Sequence, residues 1–200
     1  MPKYRIALMP GDGIGKDVMD AAQIVLDKIE LDAEYVPAAI GWEFWCKEGE
    51  PLPQRTLDTL KTCNCALFAA ITSKPKEEAE AELIPELQGQ GLTYRSPIVR
   101  LRQAFDLYVN LRPCKAFKGN PLNYRDDVDL VVFRENTEGL YAGVENIITP
   151  GVVTTTKVVT EKASIRIARA AFAYAKPVSY THLTLPTICF KCRSRWSPYH

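Results

Sequence analysis

The N-terminal third of the chain alternates short apolar runs with segments of helical periodicity, and this alternation constrains the fold more than any other feature. Residues 4–9 form an apolar run that ends at a proline and a glycine cluster, as a buried strand does. Residues 14–29 then place apolar side chains at helical spacing. A strand near 34–37, a helix near 54–61 and a strand at 65–71 repeat the pattern. Strands that alternate with helices predict a parallel sheet with helices on both faces.

Further elements follow in the second half of the chain. Ser96-Pro97 predicts a helix start, because Ser accepts hydrogen bonds from free backbone N–H groups and Pro suits the first helical position. Two strands, 107–112 and 128–133, and an amphipathic helix at 161–176 come next. The prediction is an α/β fold, a mostly parallel twisted sheet flanked by helices.

Composition excludes several functional classes. The 200 residues are 46% hydrophobic and 24% charged with a formal charge of +1, which favours neither nucleic acid nor an anionic membrane as a partner. No apolar run is long enough to span a bilayer, and the N-terminus lacks the features of a signal peptide. A cytoplasmic location is therefore expected, with the six cysteines reduced. Cys63 and Cys65 are more typical of a strand edge than of a redox pair.

The last 24 residues differ in composition from the rest. Residues 177–200 contain both histidines, three basic residues and no acid. The shift predicts a boundary between a segment 1–176 and a separate segment 177–200. A zinc site is the alternative interpretation of this tail, but one CxxC pair with two scattered histidines is a weak pattern, formed by Cys189, Cys192, His182 and His200.

Residues 11–15 (GDGIG) form a glycine-rich turn between the first strand and the first helix. Such a turn brings backbone N–H groups and a helix N-terminus together, where an anion can bind. It is not a Walker loop, because Asp17 stands where a hydroxyl is needed, and its third glycine falls one position early for a dinucleotide fingerprint. A plain tight turn remains an equal alternative.

Three arginines stand at the ends of predicted elements: Arg102 on the helix, and Arg112 and Arg134 each ending a strand. Ligands of α/β sheets gather at strand ends, and guanidinium groups there suit a multiply charged carboxylate. Ordinary surface ion pairs are the alternative. Tyr141, seven residues after Arg134, is a candidate proton donor, with a packed core tyrosine as the alternative.

Three blocks, 11–15 (GDGIG), 96–113 (SPIVRLRQAFDLYVNLRP) and 133–145 (FRENTEGLYAGVE), resemble in order the N-terminal motifs of a known enzyme family. It is the family of metal- and nicotinamide-dependent β-decarboxylating dehydrogenases of the isocitrate, homoisocitrate and isopropylmalate type. The resemblance covers residues 3–176 and implies a truncated isopropylmalate dehydrogenase-like fold.

The resemblance also implies roles for individual residues. Tyr141 is expected to help protonate the enol left by decarboxylation. Substrate contacts are expected from Ser96, Arg102, Arg112 and Arg134. Thr72 and Ser73 are expected near the nicotinamide. The implied cofactors are NAD or NADP and Mg2+ or Mn2+, and the implied partners are a hydroxy-di- or tricarboxylate and a second copy of the chain, with no nucleic acid or membrane.

The sequence favours isocitrate or homoisocitrate as the substrate and leaves isopropylmalate possible. RENTEG resembles the first two classes, and Arg95 stands where many isopropylmalate enzymes have glutamate, whereas Ile98 replaces an asparagine of many isocitrate enzymes. The catalytic lysine, the metal-binding aspartates and the adenosine loop belong to the later half of the family pattern. The 200-residue chain by itself is therefore expected to be inactive, and a non-catalytic regulatory or binding subunit is the alternative.

Segment 177–200 resembles nothing in this family at that point. Its stretch VSYTHLTLPT resembles the translation of a sequencing-library adapter. The sequence thus predicts that the tail is foreign, an assembly artefact.

Overall fold

The computed structural model of the chain describes residues 2–177 and residue 182. It divides into two compact units, with the boundary between Leu107 and Tyr108. Most of segment 177–200, which the sequence predicts to be a foreign tail, lies outside the described residues, and so do the possible zinc ligands Cys189, Cys192 and His200. Within the described part of the chain, no helix has the length and apolar character needed to cross a membrane.

The first unit contains three strands and five helices among its described residues. In chain order they are β1 (Tyr4–Gly11), α1 (Ile14–Lys28), β2 (Ala33–Pro37), α2 (Trp42–Glu48), α3 (Gln54–Lys61), β3 (Cys65–Ala70), α4 (Lys76–Ala81) and α5 (Pro97–Ala104).

The three strands of the first unit form a parallel sheet in the order β2-β1-β3. Ile6 at the centre lies opposite Tyr35 on one side and Cys65 on the other. Ala7 and Met9 of β1 are fully buried in an apolar cluster, against which α3 and α5 pack through Leu57 and Leu101. The predicted parallel sheet flanked by helices is confirmed.

A second apolar cluster orders the segment between β3 and α5. Trp42 and Trp45 of α2 are buried with Leu83, and both indole rings contact Tyr94, at centroid distances of 5.0 and 5.4 Å. The Trp45 indole N–H donates to the Ala79 carbonyl over 2.7 Å. The buried face of helix α2 therefore holds the segment between β3 and α5, in which α4 is the one helix among the described residues.

Helix α5 begins at Pro97, as the sequence predicts, but the capping mechanism differs. Ser96 is the N-cap residue, yet its side chain makes no hydrogen bond to the helix end. The main chain provides the connection instead, because the Ser96 carbonyl accepts from the Arg100 N–H over 3.3 Å.

The second unit contains four strands and one helix among its described residues. They are β4 (Val109–Lys115), β5 (Asp129–Glu135), β6 (Gly139–Thr149), β7 (Val152–Val158) and α6 (Glu161–Ala175). Strands β4 and β5 form one antiparallel pair, and β6 and β7 form another. The parallel arrangement of the first unit does not continue here.

Strand β4 corrects the predicted position of Arg112, which is inside the strand and not at its end. Pro113 does not close the strand, because β4 runs on to Lys115 with Pro113 opposite Val131. A two-stranded pair leaves each strand one free edge, so a residue without an N–H group is tolerated there. Arg134 lies one residue before the end of β5, close to its predicted place.

Helix α6 confirms the predicted amphipathic helix. The Thr160 hydroxyl accepts from the Ala163 N–H over 3.1 Å and so caps the first turn. The helix packs on β5, where Tyr174 meets Phe133 edge to face at a centroid distance of 5.3 Å.

Candidate functional site

The Asp12 carboxylate joins three segments of the first unit. It accepts backbone N–H groups from Trp42 at 2.6 Å, from Glu43 at 3.1 Å and from Thr72 at 3.1 Å. The first two are free donors at the start of α2, and the third belongs to the loop after β3. Gly41 must lack a side chain, since a Cβ there would lie 2.5 Å from an Asp12 oxygen. The sequence did not predict this role for Asp12.

The glycines around Asp12 allow two strand ends to approach closely. A Cβ at Gly11 would lie 1.8 Å from the Ala70 carbonyl oxygen, and a Cβ at Gly15 would lie 2.1 Å from the Pro10 oxygen. The Asp12 N–H donates to the Ala70 carbonyl over 2.9 Å and so connects the end of β1 to the end of β3. These contacts support the interpretation of GDGIG as a tight turn, and its interpretation as an anion site stays a prediction.

Thr72 and Ser73 follow β3 at the carboxyl end of the parallel sheet, where ligands of such sheets bind. The Thr72 N–H is held by Asp12, and its carbonyl accepts from the Tyr94 hydroxyl over 3.3 Å. The exposed Ser73 hydroxyl lies 3.2 Å from the same phenol. Burial raises the pKa of Tyr94, so the phenol stays protonated and able to donate. Hydrogen bonds to Asp12 and Tyr94 thus hold the main chain of the loop at Thr72, while the Ser73 side chain remains exposed.

Ser96 and Arg102 belong to the N-cap and the last turn of α5, and both are partly buried. Ile98 and Arg102 are one turn apart and share a face of the helix. Arg100 projects from another face and forms an ion pair with Glu50, in the loop after α2.

Arg112, Arg134 and Tyr141 all belong to the second unit, where Arg134 contacts Tyr141. Arg134 lies directly opposite Asn110, and Arg112 is two residues further along the same strand as Asn110, so both arginines point to one face of the β4-β5 pair. The Arg134 guanidinium donates to the Tyr141 hydroxyl over 2.9 Å and lies 5.5 Å from the centre of its ring. The Arg112 Nε donates to the Asn110 amide oxygen over 3.2 Å.

Neither Arg112 nor Arg134 forms an ion pair with any residue in the described part of the chain, and both are exposed. The alternative of ordinary surface ion pairs therefore does not apply to these two residues. Each guanidinium keeps several N–H groups free for a carboxylate ligand.

Glu135 holds the turn that follows Arg134. Its carboxylate accepts from the Thr137 hydroxyl at 2.7 Å, from two backbone N–H groups and from Arg166 at 3.2 Å. Burial acts to raise the pKa of Glu135, but these hydrogen bonds outweigh it and lower the pKa. Arg166 also lies 4.5 Å from the centre of the Tyr108 ring. Sequence reasoning missed Glu135, although an acid followed by Asn136 and Thr137 after an apolar strand is a signal for such a turn.

The predicted residues are divided between the two units. Thr72, Ser73, Ser96 and Arg102 belong to the first, and Arg112, Arg134 and Tyr141 belong to the second. Among residues 2–177 and 182, no group of three or more His, Cys, Asp or Glu side chains is arranged to hold a metal ion.

A family model described as isocitrate/isopropylmalate dehydrogenase matches residues 5–187 of the chain. The chain belongs to this family. The matched range covers most of the sequence and includes the start of segment 177–200, whose separate origin stays a prediction.

Individual family members show the same relationship. The 3-isopropylmalate/3-methylmalate dehydrogenase of Methanocaldococcus jannaschii is 40% identical over 173 residues, which are 86% of this chain and 46% of that protein. The isocitrate/homoisocitrate dehydrogenase of Thermus thermophilus is 39% identical over 174 residues, 86% of this chain and 47% of that protein.

The fold agrees with a solved structure of the family. The crystal structure of isocitrate dehydrogenase from Methylococcus capsulatus matches with a TM-score of 0.73 and 37% identity, over 88% of this chain and 48% of that one. The chain thus spans about half the length of the family members it matches.

Proposed function

We propose that the intact protein catalyses the NAD(P)-dependent and Mg2+- or Mn2+-dependent oxidative decarboxylation of a 3-substituted malate. The observation that carries the proposal is the group formed by Arg112, Arg134 and Tyr141. Two guanidinium groups without carboxylate partners in the described residues project from one face of the β4-β5 pair, and one of them donates to the Tyr141 phenol over 2.9 Å. This arrangement can bind a polyanion and place a proton donor beside it.

In the proposed reaction, a hydride leaves C2 of the 2-hydroxy acid for the nicotinamide, and the C2 hydroxyl loses its proton. The resulting 2-keto acid has a carboxylate β to the ketone and loses it as CO2. Tyr141 then delivers a proton in the protonation of the enol. Arg112 and Arg134 hold the carboxylates that remain, and we propose that Ser96 and Arg102 contribute further substrate contacts.

Thr72 and Ser73 are proposed to contact the nicotinamide end of the cofactor. The exposed Ser73 hydroxyl supports this, as does the position of the loop at the carboxyl end of the parallel sheet. The described residues offer no ligand set for the metal. Its ligands, the catalytic lysine and the adenosine site are proposed to belong to a further part of the intact protein.

Isocitrate and homoisocitrate are the favoured substrates. The stretch RENTEG supports them, and so does the absence of the glutamate that many isopropylmalate enzymes have at position 95, since an acid there would repel a third carboxylate. Isopropylmalate stays possible, and similar proteins carry names from both groups.

The alternative is a non-catalytic regulatory or binding subunit, or an inactive gene fragment. The presence of Arg102, Arg112, Arg134 and Tyr141 together favours the catalytic function. We also propose that residues 1–176 are the N-terminal part of the enzyme domain and that 177–200 is a foreign tail. The cytoplasmic location stays a prediction.

A homodimer is proposed for the intact protein. The β6-β7 hairpin supports it, because the side chains of Ile147 and Val153, directly opposite each other, are 79% and 60% exposed. An exposed apolar two-stranded ribbon is a surface that a second copy can cover.

The test is to recover the uninterrupted gene from its source by long-read sequencing and to assay the purified protein. NAD(P)H formation from isocitrate, homoisocitrate and isopropylmalate is followed with NAD and with NADP, with Mg2+, with Mn2+ and with chelator. We expect metal-dependent turnover, fastest with one of the first two acids. An intact protein that turns over none of the three acids, or a gene that ends as this chain does, contradicts the enzymatic proposal.

A further inference from the structure

Strand β6 is irregular at the residues that include Tyr141. Gly139 and Val144 are consecutive paired residues of β6, yet their partners in β7 are only two residues apart. The four residues 140–143 therefore stand against one residue of β7, which makes this segment a large β-bulge. A bulge interrupts the regular alternation of side chains along a strand and changes the direction in which they point. The direction of the Tyr141 side chain is thus set by the bulge.

Two glycines bound the bulge. Gly139 has a φ of +74° and Gly143 a φ of +67°, in the region that residues with a Cβ rarely adopt. Crowding does not require either glycine, because a Cβ at each position would meet no atom within 4 Å. The two glycines are therefore needed for the backbone conformation of the bulge alone.

Glu138 connects the residue before the bulge to helix α6. Its half-buried carboxylate accepts hydrogen bonds from the N–H and the hydroxyl of Thr160, over 2.8 and 2.6 Å. The same hydroxyl caps α6 through the Ala163 N–H. Helix α6 in turn packs on β5, the strand that contains Arg134. The start of the bulge is therefore held relative to the strand of Arg134.

These constraints meet at the contact between Tyr141 and Arg134. The Tyr141 side chain is half-buried, and its hydroxyl accepts from the Arg134 guanidinium over 2.9 Å. We propose that Glu138 and Gly143 are positioning residues of the proposed reaction, which hold the Tyr141 phenol against Arg134 through the bulge. The inference rests on the proposed role of Tyr141 as a proton donor. Both residues act through Tyr141 and not by contact with the substrate.

Gly143→Ala and Gly151→Ala are a matched pair of substitutions. Gly151, in the turn between β6 and β7, also has a positive φ, +81°, and open space for a Cβ. Both changes should therefore lower the urea midpoint of unfolding by a similar amount. In the intact enzyme, Gly143→Ala should lower kcat about tenfold or more and change KM little, because it displaces the proton donor while the arginines remain. Gly151→Ala should keep the parent kcat.

Replacing Glu138 tests the link to α6. Glu138→Ala removes the acceptor of both Thr160 hydrogen bonds, so kcat should fall about tenfold with little change in KM. Glu138→Gln retains one amide oxygen as an acceptor and should recover part of that loss. Glu145→Ala removes an exposed acid beyond the bulge and should keep the parent kcat.

A spectroscopic measurement on the 200-residue chain requires no turnover. Fluorotyrosine is incorporated, the Tyr141 signal is identified by its absence in Tyr141→Phe, and Arg134→Gln shows where the signal lies without the guanidinium contact. We expect fluorine NMR to show the Tyr141 signal of Gly143→Ala and of Glu138→Ala shifted toward its position in Arg134→Gln. Gly151→Ala should leave it at the parent position, with the other tyrosine signals unmoved.

A parent enzyme without turnover contradicts the proposed function, while the fluorine spectra still test the positioning. Three results would overturn the inference. They are a parent Tyr141 signal at the position it has in urea, either a Tyr141 signal or a kcat that is unchanged in both Gly143→Ala and Glu138→Ala, and an equal loss of kcat in Gly143→Ala and Gly151→Ala. The last result would show that general destabilisation causes the loss.

Discussion

The Arg134 guanidinium donates a hydrogen bond to the Tyr141 phenol oxygen over 2.9 Å. A phenol can both accept and donate a hydrogen bond, so the contact with Arg134 is compatible with the proposed role of Tyr141 as a proton donor. The contact also fixes the ring, because the same guanidinium lies 5.5 Å from the ring centre. Tyr141, the proposed proton donor, and Arg134, a proposed carboxylate-binding residue, are therefore in direct contact.

Replacing Tyr141 with phenylalanine in the intact enzyme should lower kcat about 100-fold or more, because proton transfer by a positioned group contributes on that order. KM should change little, since the arginines remain. Steady-state kinetics measures both constants. The matched change Arg134→Lys should instead raise KM about tenfold, because it removes a planar, bidentate donor. A Tyr141→Phe enzyme with unchanged kcat removes Tyr141 from the mechanism.

Asp12→Ala should destabilise the first unit by about 2–3 kcal/mol, because three backbone N–H groups lose their acceptor. Asp12→Asn should cost less, since one amide oxygen can still accept. Urea unfolding followed by tryptophan fluorescence measures the loss, with the exposed Asp20→Ala as the control, expected within about 0.5 kcal/mol of the parent. Equal stability of Asp12→Ala and parent would refute the role of Asp12.

At the scale of elements, the strands and helices with strong local periodicity could be predicted. β1, α1, β3 and α6 follow from apolar spacing alone. Helix α2 could not, because its start is held by Asp12, which is 30 residues from Trp42 in the sequence. The β6-β7 hairpin was also missed, since its strands are largely exposed and show no apolar alternation.

The candidate site shows the same division between local and distant information. Motif resemblance selects Arg112, Arg134 and Tyr141, and the antiparallel register explains how the two arginines reach one face of the β4-β5 pair. Sequence alone could not give that register, because it depends on a 13-residue connection between β4 and β5. Nor could it identify Glu135 as the acceptor for Arg166, a contact across 31 residues.

Glu135 links the end of β5 to α6 and should make the second unit sensitive to acid. Its pKa is lowered in the folded state, so its contribution to stability is present above the unfolded value of about 4.3 and disappears as the pH falls through the folded pKa. Its side chain is 20% exposed and that of Arg166 is 21% exposed, so solvent screens the pair only partly.

Glu135→Gln should therefore cost about 2 kcal/mol at pH 7 and flatten the pH dependence of unfolding below about pH 5. Chemical unfolding followed by circular dichroism between pH 7 and pH 3 measures both effects. Glu145→Gln, which removes an exposed acid of β6, is the control and should follow the parent curve. If the Glu135→Gln protein keeps the acid dependence of the parent, other carboxylates are responsible.

At the scale of the whole molecule, the exposed apolar side chains of the hairpin are the feature to be explained. Residues 147 and 153 face each other across the two strands and are both hydrophobic. A soluble protein rarely leaves such a ribbon uncovered. The proposed dimer would cover it.

Ile147→Lys with Val153→Lys should convert the intact protein from dimer to monomer, because two cations would be buried in the interface. Analytical ultracentrifugation across a concentration series measures this change. Leu122→Lys is the control, since Leu122 is 89% exposed and lies outside the hairpin. A double variant that stays dimeric places the interface on another surface.

The close approach of β1 and β3 has a consequence for any library of variants selected for folded protein. Positions 11 and 15 should return glycine alone, because even a methyl group there would overlap a carbonyl oxygen. Position 13 has open space around it, but its φ of +51° and ψ of −123° lie outside the left-handed helical region that asparagine and aspartate adopt, so glycine should be selected there for its backbone conformation alone. The three glycines of residues 11–15 are thus required for different reasons. Crowding excludes a side chain at positions 11 and 15, whereas only the backbone angles restrict position 13.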